Sequence, residues 1–325
     1  MDEFPVLDYL SLLNAIAPVF VVIAAGYGIR RVGWLSAEAD SSLLRVVVNL
    51  LYPCLILDTI LGNRALDQAG NILIAPAVGF VTVTLGYFIS LYAAPLFGIR
   101  EVREKRTFAF TTGIYNYGYI ALPVVQKLFD NGSAQPRNAG VLFIHNVGVE
   151  AALWTVGIMV LSGASPREGW KRVFSVPVLA ILSAMALNFA QARNWMPGFV
   201  LGAVHSMGAA AIPLGLVLTG AVFADLARGS DEETHGAVAL GSCILRLGAL
   251  PLGFLAIARW LPCPVELRHV IIVQAAMPCA VIPVILAKHY GGNPSTAFRI
   301  VLATSVVGLF TIPLWLRFGV WFTGS

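Results

Sequence analysis

The feature that most constrains the fold is a succession of apolar stretches of about 20 residues, the length that a helix needs to cross the hydrocarbon core of a membrane. Ten such stretches follow one another, with only short loops between them. The chain is 58% hydrophobic and 12% charged, with a mean hydropathy of +0.80, which excludes an ordinary soluble domain. The sequence therefore predicts an all-α integral membrane protein with ten transmembrane helices: Leu10–Ile29, Leu43–Leu61, Ile72–Leu96, Phe108–Phe129, Ala139–Leu161, Val173–Phe189, Phe199–Phe223, Ala237–Trp260, His269–Ala287 and Ile300–Phe322.

The basic residues of the loops indicate how the chain is oriented. With the N-terminus outside, twelve Lys and Arg residues lie on the cytoplasmic side and seven on the other, and loops rich in these residues stay cytoplasmic. We therefore expect both termini on the outer or periplasmic side of a plasma membrane, such as a bacterial inner membrane. This topology accounts for the net charge of +4, so membrane lipid is an expected partner and nucleic acid is not.

The two halves of the chain resemble each other when the sequence is shifted by about 160 residues, and such self-similarity indicates an internal repeat. Pro53 then meets Pro213, and Pro123 meets Pro283. Each half holds five spans, an odd number, so the second half enters the membrane from the opposite side. We expect residues 1–162 and 163–325 to form a 5+5 inverted repeat, with broken helices four and nine crossing near the midplane.

The fourth stretch is interrupted in a way that a helix facing lipid does not tolerate. Its sequence, TTGIYNYGYIALPVVQKLFDNG from Thr111 to Gly132, contains Gly113, Gly118 and Pro123, and both residue types disfavour a helix interior. Backbone groups freed in hydrocarbon must be received by protein or by a watery cavity. The stretch therefore predicts a broken helix that lines a binding site.

The residue types around the breaks favour a small anion. Pro123 and Pro283 suit the first turn of a new half-helix, and the N-terminus of a helix presents free N–H donors and a partial positive charge. Asn116 is expected either to bind a substrate carboxylate or to satisfy a freed backbone group. In the second half, Gln274 stands in for it in part. Asn146 and Asn49 are further candidates for the same cavity.

Glu150, within the fifth stretch, is costly in a membrane unless it is paired or protonated. Arg246 is the first candidate partner, Arg45 the next, and His145 lies five positions away along the same helix. Three interpretations remain open at this point, namely a structural ion pair, a carboxyl group that couples transport to protons, and a snorkelling or differently positioned residue. His145 and Asn146 could contribute to a proton relay in the second case.

These motifs resemble the auxin efflux carrier family, which includes plant auxin exporters and bacterial permeases for small organic acids. The first motif is the N-x6-P spacing from Asn116 to Pro123, and the second is AAMPCAVIPVILAKHY, residues 275–290, which contains Pro278 and Pro283. The resemblance implies a secondary carrier with an inverted repeat, usually a homodimer, that holds an anionic substrate between the crossovers near these four residues. Because only a short loop follows span five, a bacterial-type permease is the nearer analogy.

The function that the sequence favours is a secondary active transporter or uniporter for a small organic anion, an auxin-like or malate-like carboxylate or dicarboxylate, working by alternating access. An enzyme using His145 and Glu150 as acid and base is disfavoured, because the chain has neither an HExxH pair nor a nucleophile elbow. No cofactor or metal is expected. A membrane-embedded ligand sensor and a sodium-coupled symporter of the same architecture are the alternatives. Proton coupling or uniport is favoured over sodium coupling, because no acidic pair lies near the crossover.

Overall fold

The protein is all-helical in the ranges that its computed structural model describes, residues 8–130, 136–163, 173–228 and 236–325. Within them the only β pairing is one isolated bridge. In chain order the helices of eight or more residues are α1 (Tyr9–Arg31), α2 (Glu38–Ile60), α3 (Ala69–Phe97), α4 (Val102–Gly113), α5 (Ala121–Leu128), α6 (Arg137–Ser162), α7 (Val176–Phe189), α8 (Gly198–Arg228), α9 (Gly236–Trp260), α10 (Val265–Ala276), α11 (Ile282–His289) and α12 (Pro294–Thr323).

Seven of these helices, α1, α2, α3, α6, α8, α9 and α12, are long and apolar enough to cross a membrane. α7 is apolar but has 14 residues. The fourth predicted span is divided into α4 and α5, and the ninth into α10 and α11. The chain is therefore an all-helical integral membrane protein in its described residues. Seven of the ten predicted spans correspond to these seven helices.

Several helices begin before the apolar stretch that predicts them, because polar side chains cap their first turns. α12 begins at Pro294 rather than Ile300, and the Asn293 side chain accepts hydrogen bonds from the N–H groups of Ser295 (3.0 Å) and Thr296 (3.2 Å). The Glu101 carboxylate caps α4 in the same way. These hydrogen bonds hold the pKa of Glu101 below its usual range. Apolar length therefore underestimates the helices at their polar ends.

Two pairs of helices pack with their backbones in contact at glycine. On α1, a side chain at Gly26 would collide with the carbonyl oxygen of Val217 on α8, and one at Gly220 on α8 would collide with that of Ile23. Gly79 on α3 and Gly148 on α6 form the same kind of contact. Such close approach is the usual source of helix association in lipid. The α1–α8 and α3–α6 contacts thus hold the helices that surround the interrupted segments.

Single π-helical turns are inserted into α2 (Val47–Leu51), α6 (Leu153–Gly157) and α9 (Leu245–Ala249). In α9 the turn precedes Pro251, which has no N–H to offer the carbonyl of Leu247. The indole N–H of Trp315 on α12 donates to that carbonyl instead, at 2.6 Å. The π turn of α9 also carries Arg246.

The two interruptions, Ile114–Ile120 and Met277–Val281, lie against each other. The N–H of Asn116 donates to the carbonyl of Pro278 (2.7 Å), and the N–H of Ala280 donates to that of Ile114 (3.0 Å). These bonds form an antiparallel bridge between Tyr115 and Cys279. The unwound segments thus satisfy part of each other's backbone, as a membrane interior requires.

Candidate functional site

The first interruption is held by two asparagine side chains. Oδ1 of Asn116 accepts a hydrogen bond from the N–H of Ile120 (3.0 Å), a donor freed where the chain unwinds. Nδ2 of Asn146, on α6, donates to the carbonyl of Tyr117 (2.8 Å). Of the two expected roles for Asn116, its oxygen therefore serves the backbone. Its Nδ2 has no hydrogen-bond partner among the described residues and remains available as a donor.

The second interruption leaves helix donors free. Pro283 is the second residue of α11, and Pro123 is the third residue of α5, so both lie in a first turn as predicted. Among the described residues, the backbone N–H groups of Val281 and Ile282 find no acceptor. These are orphan donors of a helix N-terminus, where a negative charge is stabilised.

A cavity of about 270 Å³ lies at this meeting point. Apart from its aromatic residues, its polar side chains are those of Asn116, Asn146, Glu150 and Ser175, and the start of α11 reaches it through Ala280, Val281 and Ile282. Aromatic rings form much of the remaining wall: Tyr52, Tyr117, Tyr119, Phe143 and Trp154. The cavity therefore combines apolar walls with a few hydrogen-bonding groups, the usual composition of a small-molecule site.

No group of three or more His, Cys, Asp or Glu residues in the described ranges is arranged to hold a metal ion. The cavity wall includes amide and backbone N–H donors, which are groups that can hydrogen-bond carboxylate oxygens.

Glu150 lies in the cavity wall, held by two neutral donors. The hydroxyl of Tyr117 donates to Oε1 at 2.8 Å, and the indole N–H of Trp154 donates to Oε2 at 2.9 Å. The expected ion pair with Arg246 is not formed, and neither Arg45 nor His145 replaces Arg246 among the described ion pairs. The reason is position, since Arg246 is absent from the cavity wall and bonds to the carbonyls of α10.

Three further candidates are buried away from the cavity. Arg246, Gln274 and His145 are each at most 1% exposed. His145 contacts the side chain of Asn146, with Nδ1 and Oδ1 3.4 Å apart. His145 does not line the cavity that Glu150 lines, so these two side chains do not face a common space.

The remaining candidates frame the cavity or lie outside it. Pro278 and Pro283 flank the residues of the second break that line it, whereas Pro123 lines a separate cavity of about 690 Å³ beside α1. Asn49 is exposed on α2, and its Nδ2 donates to the carbonyl of Arg45 (2.9 Å) one turn earlier. Asn49 was expected to face the cavity and does not, because its position points it out of the bundle.

Sequence reasoning missed the two groups that bind Glu150. The spacing of Trp154, four residues after Glu150, places both side chains on one helix face and could have indicated this contact. Tyr117 gave a weaker signal, because its side-chain direction depends on the path of the unwound segment.

The chain is similar to known transport proteins. A family described as Membrane transport protein matches residues 11–169 and 164–316. An uncharacterized transporter of Methanothermobacter thermautotrophicus is 24% identical over 313 residues, which cover 94% of this chain and 98% of the relative. An uncharacterized transporter of Methanocaldococcus jannaschii is 22% identical over 311 residues, 93% of this chain and 97% of the relative. The chain therefore belongs to the membrane transport protein family, the auxin efflux carrier family that its two interrupted segments indicated.

Proposed function

We propose that this membrane transporter carries a small organic anion, a carboxylate or dicarboxylate, by alternating access around the cavity between its two interrupted segments. The observation that carries the proposal is the set of free donors in one cavity wall: Nδ2 of Asn116 and the N–H groups of Val281 and Ile282. A carboxylate supplies the acceptors that these donors lack.

The proposed architecture has ten spans in two inverted repeats, residues 1–162 and 163–325. Reciprocal packing supports it. The first span of the first half packs on the second span of the second half (α1 on α8), and the second span of the first half packs on the first span of the second half (α2 on α7). Likewise α4 packs on α12, and α10 on α6. In this proposal α7 is a short span, α4 with α5 and α10 with α11 are the broken spans, and the protein works as a homodimer in a bacterial inner membrane.

We further propose that Glu150 couples transport to protons. An anion in the cavity meets the Glu150 carboxyl, and two negative charges in one apolar site disfavour each other. In the described structure only neutral donors contact this carboxyl. Anion binding is therefore expected to accompany protonation of Glu150, so that anion and proton move together.

Purified protein in liposomes provides the test. A thermal-shift screen of small monocarboxylates and dicarboxylates should identify ligands that raise the melting temperature. Each ligand should then enter wild-type proteoliposomes chemically unchanged, faster when the outside is acidic. Stabilising ligands that do not cross the membrane would indicate a sensor and contradict the proposal, as would transport that requires sodium rather than a proton gradient.

A further inference from the structure

Two backbone carbonyls at the end of α10 lack the N–H partner that a continuing helix would supply four residues later, and that of Gln274 instead accepts a hydrogen bond from the N–H of Met277 at 3.3 Å. The carbonyl of Gln274 would bond to the residue four positions later, but that residue is Pro278, which has no N–H. The carbonyl of Ala275 loses the N–H of Cys279, which donates to Oγ1 of Thr304 at 3.3 Å. These oxygens form the negative end of the half-helix dipole.

Arg246 reaches both oxygens from the π turn of α9. Its Nη2 lies 3.3 Å from the carbonyl oxygen of Gln274 and 3.2 Å from that of Ala275. Its guanidinium carbon lies 5.2 Å from the ring centre of Tyr115 and 5.0 Å from that of Phe254. Carbonyl dipoles and aromatic faces both attract a cation.

No carboxylate balances this charge in the described ranges. Arg246 is 0% exposed and takes part in none of the described ion pairs. Its Nε and Nη1 make no hydrogen bond there. A buried charge without a counterion carries a large desolvation cost, which the contacts with the two carbonyls and the two aromatic rings must offset.

The first half has no room for an equivalent group. The position 160 residues before Arg246 is Gly86, and a side chain there would collide with the carbonyl oxygen of Gly113, the last residue of α4. A buried arginine is therefore present only at the break of the second half and has no counterpart at the equivalent position of the first half. Tyr115, whose ring Arg246 faces, directly precedes Asn116, which lines the cavity.

We propose that Arg246 is a tethered cation, which occupies the place at the unwound carbonyls where an inorganic coupling ion binds in sodium-driven carriers. It holds the end of α10 in the geometry that the bridge requires, and its charge favours an anion in the adjoining cavity. Arg246 is thus a positioning residue that makes transport independent of sodium. The part concerning the anion rests on the proposed function.

Chemical rescue tests this role. In Arg246→Ala, removal of the guanidinium should lower the melting temperature of the detergent-solubilised protein in choline chloride and weaken anion binding roughly tenfold. Low-millimolar guanidinium should enter the vacated space and reverse most of both losses, without affecting wild type. Arg246→Lys should retain most of the stability and affinity, because it restores a cation.

Arg259→Ala is the matched control, since Arg259 on the same helix also binds a helix-end carbonyl, that of Thr323 (3.3 Å), but is exposed. It should show no rescue. The proposal is overturned if Arg246→Ala matches wild type in choline, or if guanidinium fails to improve it. The melting readout needs no substrate, so it stands even if wild type binds no carboxylate. If the wild-type protein binds no carboxylate, that result contradicts the proposed function rather than the role of Arg246.

Discussion

Single side chains decide the chemistry of the cavity, and Glu150 is the most consequential of them. It lies in an apolar wall, where Tyr117 and Trp154 hold both of its oxygens. Its position on α6 brings it into the space between the two interrupted segments. In the proposed function, an anion bound in this cavity would therefore interact directly with the charge of Glu150 and respond to its protonation.

Glu150→Gln should uncouple anion transport from pH. Glutamine keeps the shape of the side chain but has no ionisable group, so the cavity stays permanently neutral at this point. We expect wild-type uptake to rise as the external pH falls, and the variant to show a flat profile between pH values at which wild type varies. Initial rates in proteoliposomes measure this. Exposed Glu38→Gln should behave as wild type, and a preserved acid stimulation in Glu150→Gln would argue that the proton is bound elsewhere.

Two asparagines offer a sharp contrast. Asn116→Ala should weaken carboxylate binding by about tenfold or more, since it removes a substrate donor and the acceptor of the Ile120 N–H. Asn49→Ala should leave affinity unchanged, because Asn49 is exposed on α2 and bonds to its own helix. Ligand titrations followed by thermal shift compare the two. If Asn116→Ala and Asn49→Ala bind the carboxylate with equal affinity, Asn116 is not part of the binding site.

At the scale of helices, the sequence predicted which segments are helical better than it predicted where each helix ends or which helices touch. The breaks after Gly113 and around Pro278 could be predicted because glycine and proline act locally on the backbone. The contact of Glu150 with Tyr117 and the contacts of Arg246 could not, because they depend on the path of the unwound segment and on how α9 and α10 pack. The π turn that carries Arg246 is likewise not encoded by a short motif.

Glycine contacts between helices predict a measurable asymmetry within α1. Gly26→Ala should destabilise the protein, because its new methyl group would meet the backbone of Val217. Gly28→Ala, two residues further on, has open space around it and should be neutral or slightly stabilising, since alanine is the better helix former by about 1 kcal/mol. Melting temperatures in detergent compare them. A Gly26→Ala protein as stable as Gly28→Ala would show that this contact is looser than described.

For the molecule as a whole, the proposed ten-span topology predicts which loops face outward. With both termini outside, the loop before α8 is external and the loop before α4 is cytoplasmic. In a background with Cys263 replaced by Ser, Asn194→Cys should react with an impermeant maleimide in intact cells. Arg100→Cys should react only after permeabilisation. The reverse pattern would invert the assigned orientation, and labelling of both in intact cells would contradict the number of spans between them.

The central claim is that one cavity between two interrupted helices carries an organic anion from either side of the membrane. Counterflow tests it most directly: proteoliposomes are loaded with an unlabelled carboxylate found by thermal shift, and trace labelled carboxylate is added outside without any ion gradient. We predict transient accumulation of label by wild type, none by protein-free vesicles and at most a small fraction by Asn116→Ala. Absence of accumulation by wild type, or equal accumulation by Asn116→Ala, would contradict the account.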